Sequence, residues 1–203
     1  MKSLLIDGIT YYIFEGSTKY INNIVNKWFE NNMEKYISFY DENEKILENY
    51  VGSIPSNTPN DYIYSNSIRI FAFKDNNFIG RVGADFIKSS KFEGFGISHF
   101  MFIHSMSVSV SMQGKGMCSK LLYVLHSKSN NIRYAILDVD TINIPAIKCY
   151  EKNGYTKMNY EHEDAGVIYM VRDAESAQTL SRHKYLKYKN KYLQLKNKSK
   201  KIQ

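Results

Sequence analysis

The chain of 203 residues is 43% hydrophobic and carries a formal net charge of +7, a composition typical of one globular domain with a buried core and a short appendage. No apolar window approaches the roughly 18 residues of a membrane span, and Asp7 interrupts the first apolar run, so we expect neither a transmembrane segment nor a signal peptide. The two cysteines, Cys118 and Cys149, indicate reduced intracellular thiols rather than a disulfide framework.

The N-terminal part of the chain predicts a hairpin followed by two helices. Apolar runs flank Asp7-Gly8, a dipeptide typical of two-residue hairpin turns. Ser17 is a suitable cap for a helix whose apolar residues recur at helical spacing. A second such stripe, in residues 36–50, predicts another helix, and a loop with two prolines follows.

The middle of the chain predicts strands. Residues 67–73 and 78–87 are apolar runs joined by a turn at Asp75, and the aromatic run His99–His104 follows them. The pattern then predicts a helix after Gly116, a strand at 132–139, a helix at 143–153, and strands at 155–160 and 167–171.

Two glycines stand where the predicted aromatic strand meets the next helix. Gly114 and Gly116 flank Lys115, so the backbone there can approach a ligand without a side chain in the way. The N–H groups at a helix N-terminus, together with the helix dipole, bind anions and phosphates above all. The junction therefore predicts a phosphate-binding turn, although an ordinary glycine turn has the same pattern.

Two ordered motifs make the first interpretation the stronger one. The segment Gln113-x-x-Gly116-x-Cys118 resembles the acyl-CoA signature of the GNAT N-acetyltransferase superfamily, with Cys118 in place of the usual final Gly or Ala. The segment Asn143-x-x-Ala146-x-x-x-Tyr150-x-x-x-Gly154-Tyr155 is similar to the second motif of that family, with Tyr in place of the final Phe.

The resemblance implies an α/β GNAT fold over residues 1–172, with a mixed, mostly antiparallel sheet of about six to seven strands flanked by helices. It implies acetyl-CoA as the cosubstrate and no metal. The residues that it places against acetyl-CoA are Met106, Ser107, Val108, Gln113, Gly114, Lys115, Gly116, Met117, Cys118 and Asn143.

The resemblance also implies Tyr150 as the catalytic acid that protonates the departing thiolate. Many GNAT enzymes carry a basic Glu on the signature strand, where this chain has Phe102. His104 lies two residues later, and His104-Ser-Met-Ser-Val108 resembles the corresponding strand of arylalkylamine N-acetyltransferases. With a free pKa of about 6.5, histidine can take up protons at physiological pH. A core position for His104, His162 as the base, and a water-mediated route remain open.

Acidic residues suggest the kind of acceptor. They concentrate in the predicted second-helix region and in the last hairpin, which in GNAT proteins flank the acceptor side of the cleft: Glu30, Glu34, Asp41, Glu42, Glu44, Glu48, Glu161, Glu163 and Asp164. A negative rim attracts a cationic primary amine such as a polyamine, an arylalkylamine or a lysine side chain, although solvated acidic faces are common. A non-catalytic acyl-CoA-binding or interaction protein is the alternative function.

Residues 173–203 differ in kind from the rest. Residues 180–203 contain nine basic residues and no acid, so residues 1–179 have a net charge of about −2. A seven-residue near-repeat, 184–190 and 191–197, places tyrosines and leucines at helical spacing and predicts a basic amphipathic helix. The helix could fold back on the domain, dock a protein partner or contact a polyanion. The tail resembles those of many giant DNA virus proteins, so we expect a cytoplasmic protein, in the host cell if viral.

Overall fold

The computed structural model describes residues 1–32, 63–129 and 131–175, and its elements follow the predicted order. These elements are β1 (Lys2–Ile6), β2 (Ile9–Gly16), α1 (Thr18–Asn32), β3 (Ile63–Lys74), β4 (Asn77–Phe92), β5 (Ile97–Val108), α2 (Met117–Lys128), β6 (Tyr134–Asp140), α3 (Ile144–Lys152), β7 (Thr156–Lys157) and β8 (Val167–Asp173). The predicted second helix at 36–50 and the basic tail from residue 176 onward lie outside the described residues.

All the described strands form one sheet in the order β1-β2-β3-β4-β5-β6-β8-β7. Only the β5–β6 pair is parallel, which confirms the predicted mixed, mostly antiparallel sheet. The sheet has eight strands rather than six or seven. The N-terminal hairpin supplies two full strands, and the short β7 adds the last one.

Both predicted hairpin turns are formed by residues with positive φ. Asp7 and Gly8 have φ of 50° and 72°, and Asp75 and Asn76 have φ of 50° and 62°. Two-residue turns with both central residues in this region match the twist of the strands that they join. The turn chemistry therefore sets the register of β1 with β2 and of β3 with β4.

The sheet is covered on both faces by helices. Leu121, Leu122 and Leu125 of α2 are fully buried in a core that includes Ile103 and Leu137. On the opposite face, α1 packs on an aromatic cluster whose buried members include Phe14, Phe29, Phe71, Phe73 and Phe78. Because side chains alternate along a strand, the neighbours of Ile103 and Leu137, Phe102 and Ile136, face the side opposite α2 and belong to a third apolar cluster.

The parallel pair β5–β6 separates before either strand ends. The ladder runs from Phe100 opposite Tyr134 to Ile103 opposite Leu137, and within the described chain it goes no further. On its other side β5 contains a bulge, because the register with β4 shifts between His104 and Ser107. A bulge bends the strand that carries it, so the end of β5 turns away from β6 and opens a gap in the sheet.

The predicted strand at 155–160 is shorter than expected. Only Thr156 and Lys157 pair with β8 as β7, and the N–H of Met158 still donates to the carbonyl of Tyr169 at 2.9 Å. Tyr160 then leaves the sheet edge and packs its ring on Phe92, with centroids 5.2 Å apart. Aromatic packing under the loop thus ends the strand earlier than the apolar pattern predicted.

The expectation of two reduced thiols is wrong for this structure. Cys118, in the first turn of α2, and Cys149, in α3, form a disulfide with Cα atoms 6.5 Å apart. The two residues are 31 positions apart in sequence, and cysteine number alone says nothing about distance. They meet because α2 and α3 lie side by side on the same face of the sheet, a relation that depends on the tertiary fold.

Candidate active site

The gap between β5 and β6 is a cleft of about 400 Å³. Its walls come from β5, β6, α3 and the loop that precedes β8: Ile103, His104, Ser105, Met106, Asp138, Val139, Asp140, Asn143, Tyr150, His162, Asp164 and Val167. Side chains of both sheet faces line it, since Val139 belongs to the core under α2 and α3 while Asp138 and Asp140 point to the other side. The cleft therefore passes through the sheet.

The glycine turn lies directly before α2. Gly114 and Gly116 have φ of 70° and 77°, and no atom lies within 4 Å of a Cβ built on either residue. Gly116 is the N-cap of α2 and accepts the first helical hydrogen bond, from the Lys120 N–H at 3.1 Å. The N–H groups of the first helical turn have no partner within the helix, so they face open space at its positive end.

The other residues predicted to bind acetyl-CoA divide into two groups. Gln113 lies beside the end of β5, where its Nε2 donates to the carbonyl of Val108 at 3.4 Å. Asn143 lines the cleft and also caps α3, since its Oδ1 accepts from the N–H of Ala146 at 3.2 Å. Met117, by contrast, is 1% exposed in the core, so only its backbone can face a ligand, and Cys118 is partly buried and in the disulfide.

A glycine that the sequence did not single out positions the end of β5. A Cβ at Gly80 would lie 2.9 Å from the carbonyl oxygen of Ser107 and 3.1 Å from Cδ1 of Leu121. Gly80 pairs with Val108 and allows β4 to pass close to both the strand end and α2. The missing side chain thereby fixes the distance between the glycine turn and the cleft.

Tyr150 is held inside the fold at one wall of the cleft. It extends from α3 and is 6% exposed. Burial, reinforced by the negative charge of Asp138, raises the pKa of the Tyr150 phenol to about 12. The phenol therefore keeps its proton throughout the physiological range, which is the protonation state that a proton donor needs.

His104 lies at the opposite wall, where the bulge begins. Its Nδ1 is 2.9 Å from the hydroxyl of Ser105, and its Nε2 is 3.2 Å from Oδ2 of Asp85. The Nε2 atom is buried, and its N–H direction is not aligned for a hydrogen bond, so the contact with Asp85 is electrostatic. The structure thus places His104 in the cleft rather than in the core.

Asp85 is the centre of a buried charge network behind His104. Its Oδ1 accepts from the buried Arg69 at 3.0 Å and from the hydroxyl of Ser67 at 2.6 Å. Burial alone would raise the pKa of the Asp85 carboxyl, but His104, Arg69 and Ser67 together outweigh it and hold that pKa well below its usual range. Asp85 is therefore a carboxylate, and no motif in the sequence indicated it.

Three carboxylates line the cleft. Asp138 and Asp140 alternate with apolar residues along β6, and Asp164 lies in the loop before β8. Asp164 was predicted from the sequence, whereas the two strand residues were not. The alternation Leu137-Asp138-Val139-Asp140 nevertheless indicates a strand with one polar face. Glu163 does not line the cleft, because it binds Lys91 at 2.7 Å and the Tyr169 hydroxyl at 3.0 Å.

His162 lines the same cleft but in a different setting. Its side chain is 7% exposed and its ring lies against Tyr169, with centroids 4.4 Å apart. Its Nδ1 accepts from the backbone N–H of Asp164 at 2.9 Å, and its Nε2 is 3.6 Å from Asp138. The backbone amide occupies the one nitrogen that could accept a proton.

Comparison with known families decides the classification. A model of the acetyltransferase (GNAT) family matches residues 23–155, which is more than half of the chain and includes both predicted motifs. The chain belongs to the GNAT family of acetyltransferases. The predicted GNAT fold is thereby confirmed, and the matched range includes Gln113, Gly116, Asn143 and Tyr150.

Three solved structures illustrate what this chain is similar to. The GNAT domain of PAT from S. lividans is 18% identical with a TM-score of 0.50, over 85% of this chain and 96% of that one. AAC(6')-Ib, in complex with ribostamycin and coenzyme A, is 18% identical with a TM-score of 0.48, over 85% and 97%. PH1933 from Pyrococcus horikoshii OT3 is 23% identical with a TM-score of 0.43, over 52% of this chain and 64% of that one.

This chain therefore spans less than two thirds of the Pyrococcus protein. A comparison with curated protein sequences gave no match. In the part of the GNAT domain that the structure describes, no helix is both long and apolar enough to cross a membrane. The same residues contain no group of three or more His, Cys, Asp or Glu side chains that could hold a metal ion.

Proposed function

We propose that the protein transfers an acetyl group from acetyl-CoA to a cationic primary amine by direct attack in a ternary complex. One observation supports this above all others: the cleft between β5 and β6 passes through the sheet and is lined by Tyr150 and His104 on opposite walls. A thioester that enters from the α2 side would meet an amine that enters from the carboxylate side. Both proton-transfer groups would then lie at the meeting point.

The residues around α2 fit the anionic end of acetyl-CoA. The glycine turn presents backbone donors in front of the helix N-terminus, and its Cβ positions are open. Gly114, Lys115 and Gly116 would hold the pyrophosphate there. The backbone of Met106–Val108, which has no ladder with β6, would run beside the pantetheine arm and donate to the thioester oxygen.

The remaining groups supply the proton transfers that amide formation needs. A primary amine of pKa about 10.4 must lose a proton before it attacks, which costs about 1.36 kcal/mol per pH unit, or about 4 to 5 kcal/mol at neutral pH. His104 would act as the base for the proton that the nitrogen loses as the C–N bond forms, because the proton-accepting nitrogen of His162 is occupied by a backbone amide. Tyr150, whose phenol keeps its proton, would protonate the leaving thiolate.

The preference for a cationic acceptor follows from Asp138, Asp140 and Asp164. Carboxylates along one side of a cleft raise the local concentration of a cation and orient it. A polyamine, an arylalkylamine or a lysine side chain would all satisfy this requirement. Of the other acids predicted for the acceptor side, Glu30 of α1 is exposed, Glu161 and Glu163 are not among the residues that line the cleft, and those in residues 34–48 lie outside the described chain.

The test is a panel of primary amines assayed for CoA-thiol release, with the double variant Asp138→Asn/Asp140→Asn. We expect the KM for a diamine to rise at least tenfold in this variant, and the KM for a neutral amine to change little. Asp75→Asn, which removes a carboxylate from a distant turn, is the matched control. Acetyl-CoA binding without acetylation of any amine would instead support a non-catalytic acyl-CoA-binding protein.

The compartment and the role of the tail are separate proposals. We propose a cytoplasmic protein, in the host cell if the tail reflects a viral origin, with a polyanion or protein partner bound by residues 180–203. The Cys118–Cys149 disulfide is an observation against a reducing compartment such as the cytoplasm, because such bonds are rare there. Alkylation of a fresh cell lysate followed by mass spectrometry would show whether the two thiols are free in the cell.

A further inference from the structure

We propose that Ser105 is a catalytic residue, which takes the proton from the attacking amine and passes it to Nδ1 of His104, while Asp85 positions and stabilises the resulting imidazolium. This inference rests on the proposed acetyl transfer and assigns the route that the proton follows in it. The three groups are a hydroxyl, an imidazole and a carboxylate in line, and no motif in the sequence indicated them as a set.

Access to the imidazole favours a route through the hydroxyl. Nε2 of His104 is buried against Asp85, so no substrate can reach it. Only Nδ1 remains, and the Ser105 hydroxyl lies 2.9 Å from it. Ser105 and His104 both line the cleft, so the hydroxyl offers a substrate in the cleft a hydrogen-bonded route to that nitrogen.

The charge network sets the direction of the transfer. Asp85 is a carboxylate, because Arg69 and Ser67 both donate to it. A negative charge 3.2 Å from Nε2 favours the neutral tautomer whose proton is on Nε2, which leaves the lone pair of Nδ1 to accept from Ser105. The same carboxylate stabilises the imidazolium after the transfer.

The backbone holds the hydroxyl in place at a cost. Ser105 has a φ of 54°, in the left-handed region that non-glycine residues rarely occupy. The bulge in β5 imposes this conformation between the last residue of the β5–β6 ladder and Ser107. An unfavourable conformation that persists at a cleft is typical of residues with a functional role.

The proposed transfer conserves every proton and replaces the C–S bond by a C–N bond. The ammonium first loses one proton to solvent, and the neutral amine attacks the thioester carbonyl carbon. As the C–N bond forms, the nitrogen gives a proton to Oγ of Ser105, whose own proton moves to Nδ1 of His104. The C–S bond then breaks, Tyr150 protonates the thiolate, and the imidazolium returns its proton to the Tyr150 phenolate through solvent. The products are the amide, CoA and the one proton released at the start.

Other charged groups face the same space and belong in any interpretation of a pH profile. Asp138, on β6, and His162 and Asp164, in the loop before β8, line the cleft with Tyr150 of α3, and Arg69 of β3 lies behind Asp85. None of them contacts Nδ1 of His104. A change confined to the Ser105 hydroxyl therefore reports on the relay.

The kinetic test uses Ser105→Gly and Ser105→Ala. Glycine adopts the positive φ without strain, so Ser105→Gly removes the hydroxyl with little risk to folding. We expect kcat to fall about 100-fold, with an unchanged KM for acetyl-CoA and with loss of the acidic limb of the pH–kcat profile. Ser98→Ala is the matched control, because Ser98 Oγ lies 3.1 Å from Nδ1 of His99 on the same strand, outside the cleft. It should behave like the parent.

The double variant Ser105→Gly/His104→Ala decides whether the two residues act as one unit. A relay predicts that the double variant loses no more activity than His104→Ala alone. Parent-like turnover in Ser105→Gly, or multiplicative losses in the double variant, would overturn the relay. A parent enzyme that acetylates no amine would overturn the proposed function instead.

Nitrogen-15 NMR of the His104 ring tests the arrangement without turnover. We expect the parent to show the tautomer with the proton on Nε2, and Ser105→Gly to show a changed Nδ1 shift. A proton on Nδ1 in the neutral parent would overturn the assignment whether or not the enzyme is active.

Discussion

At the scale of single residues, the candidate site depends on groups whose ionisation is set by their surroundings. Tyr150 is kept neutral by burial and by the nearby Asp138, whereas Asp85 is kept charged by Arg69, His104 and Ser67. Opposite environments thus place a neutral phenol at one wall of the cleft and a carboxylate behind His104 at the other. Such a division of roles is common where one site must both accept and donate protons.

Replacing Tyr150 by Phe removes one acidic proton and little volume. If the phenol protonates the thiolate, kcat should fall about 10²- to 10⁴-fold, the usual contribution of a general acid. The ring still fills the same space, so the Kd for acetyl-CoA should change by no more than a factor of two or three. Such a change corresponds to about 0.6 kcal/mol of binding free energy at most. Calorimetry and initial rates measure the two effects. Unchanged turnover would mean that water or another group protonates the thiolate.

Asp85→Asn should destabilise the fold in a pH-dependent way. Its loss leaves the buried Arg69 without its carboxylate, so the free energy of unfolding at pH 7 should fall by about 3–5 kcal/mol. The folded-state pKa of Asp85 is depressed, so its stabilisation is complete above the unfolded value of about 3.9 and is lost as pH falls below it. The difference between parent and variant should therefore shrink below about pH 4.

Urea unfolding at several pH values measures this difference. Asp7→Asn is the control, because it removes an exposed ion pair with Lys120 and should change stability by less than about 1 kcal/mol. Equal losses in the two variants, or a difference that does not shrink in acid, would contradict the proposed role of the buried network.

At the scale of elements, the glycine turn before α2 combines an unusual conformation with an open surface. The space around Gly114 and Gly116 is empty, so a side chain at either position would meet no neighbouring atom. Their positive φ values, however, would strain most residues other than glycine. The sequence pattern predicts that glycine stands at these positions because the backbone approaches a ligand closely. The structure adds the backbone conformation as a second reason, which changes how the turn should be tested.

Two substitutions at Gly116 separate these reasons. Asn tolerates a positive φ whereas Val does not, so Gly116→Val should lower the Tm and Gly116→Asn should not. Both place a side chain at the proposed pyrophosphate position, and both should weaken acetyl-CoA binding by at least tenfold, or about 1.4 kcal/mol. Gly96→Asn, at a φ of 72° outside the cleft, is the control and should change neither quantity. Undiminished affinity in Gly116→Asn would move the phosphate site elsewhere.

At the scale of the whole molecule, charge is divided between two parts of the chain. Residues 180–203 carry nine positive charges, whereas residues 1–179 are close to −2. The basic character of the protein therefore belongs to the tail. The described part of the domain presents Asp138, Asp140 and Asp164 at its cleft.

Deletion of residues 180–203 should leave acetylation of spermidine, as a trial acceptor, within about a factor of two. The cleft residues all precede residue 168, and the carboxylates that attract the amine remain. Elution from heparin should need less salt, because nine cationic side chains are lost, and the difference should vanish at high salt through screening. Loss of small-amine acetylation in a folded truncated protein would place the tail in the site.

The sequence by itself determined the family and the order of the described elements, and it named Tyr150 and His104 as candidates for the proton transfers. These features are local: Asp7-Gly8 sets a turn, and the spacing from Gln113 to Gly116 and from Asn143 to Tyr150 identifies the motifs. Local patterns of this kind can be recognised without any knowledge of which strands become neighbours.

Only the tertiary structure decided what surrounds those two groups. Asp85 meets His104 because β4 and β5 pair with a bulge, and Cys118 meets Cys149 because α2 and α3 share a sheet face. Asp138 faces the cleft because the β5–β6 ladder ends at Ile103. Contacts between residues far apart in sequence depend on register, and a shift of one residue would turn each of these strand side chains to the opposite face.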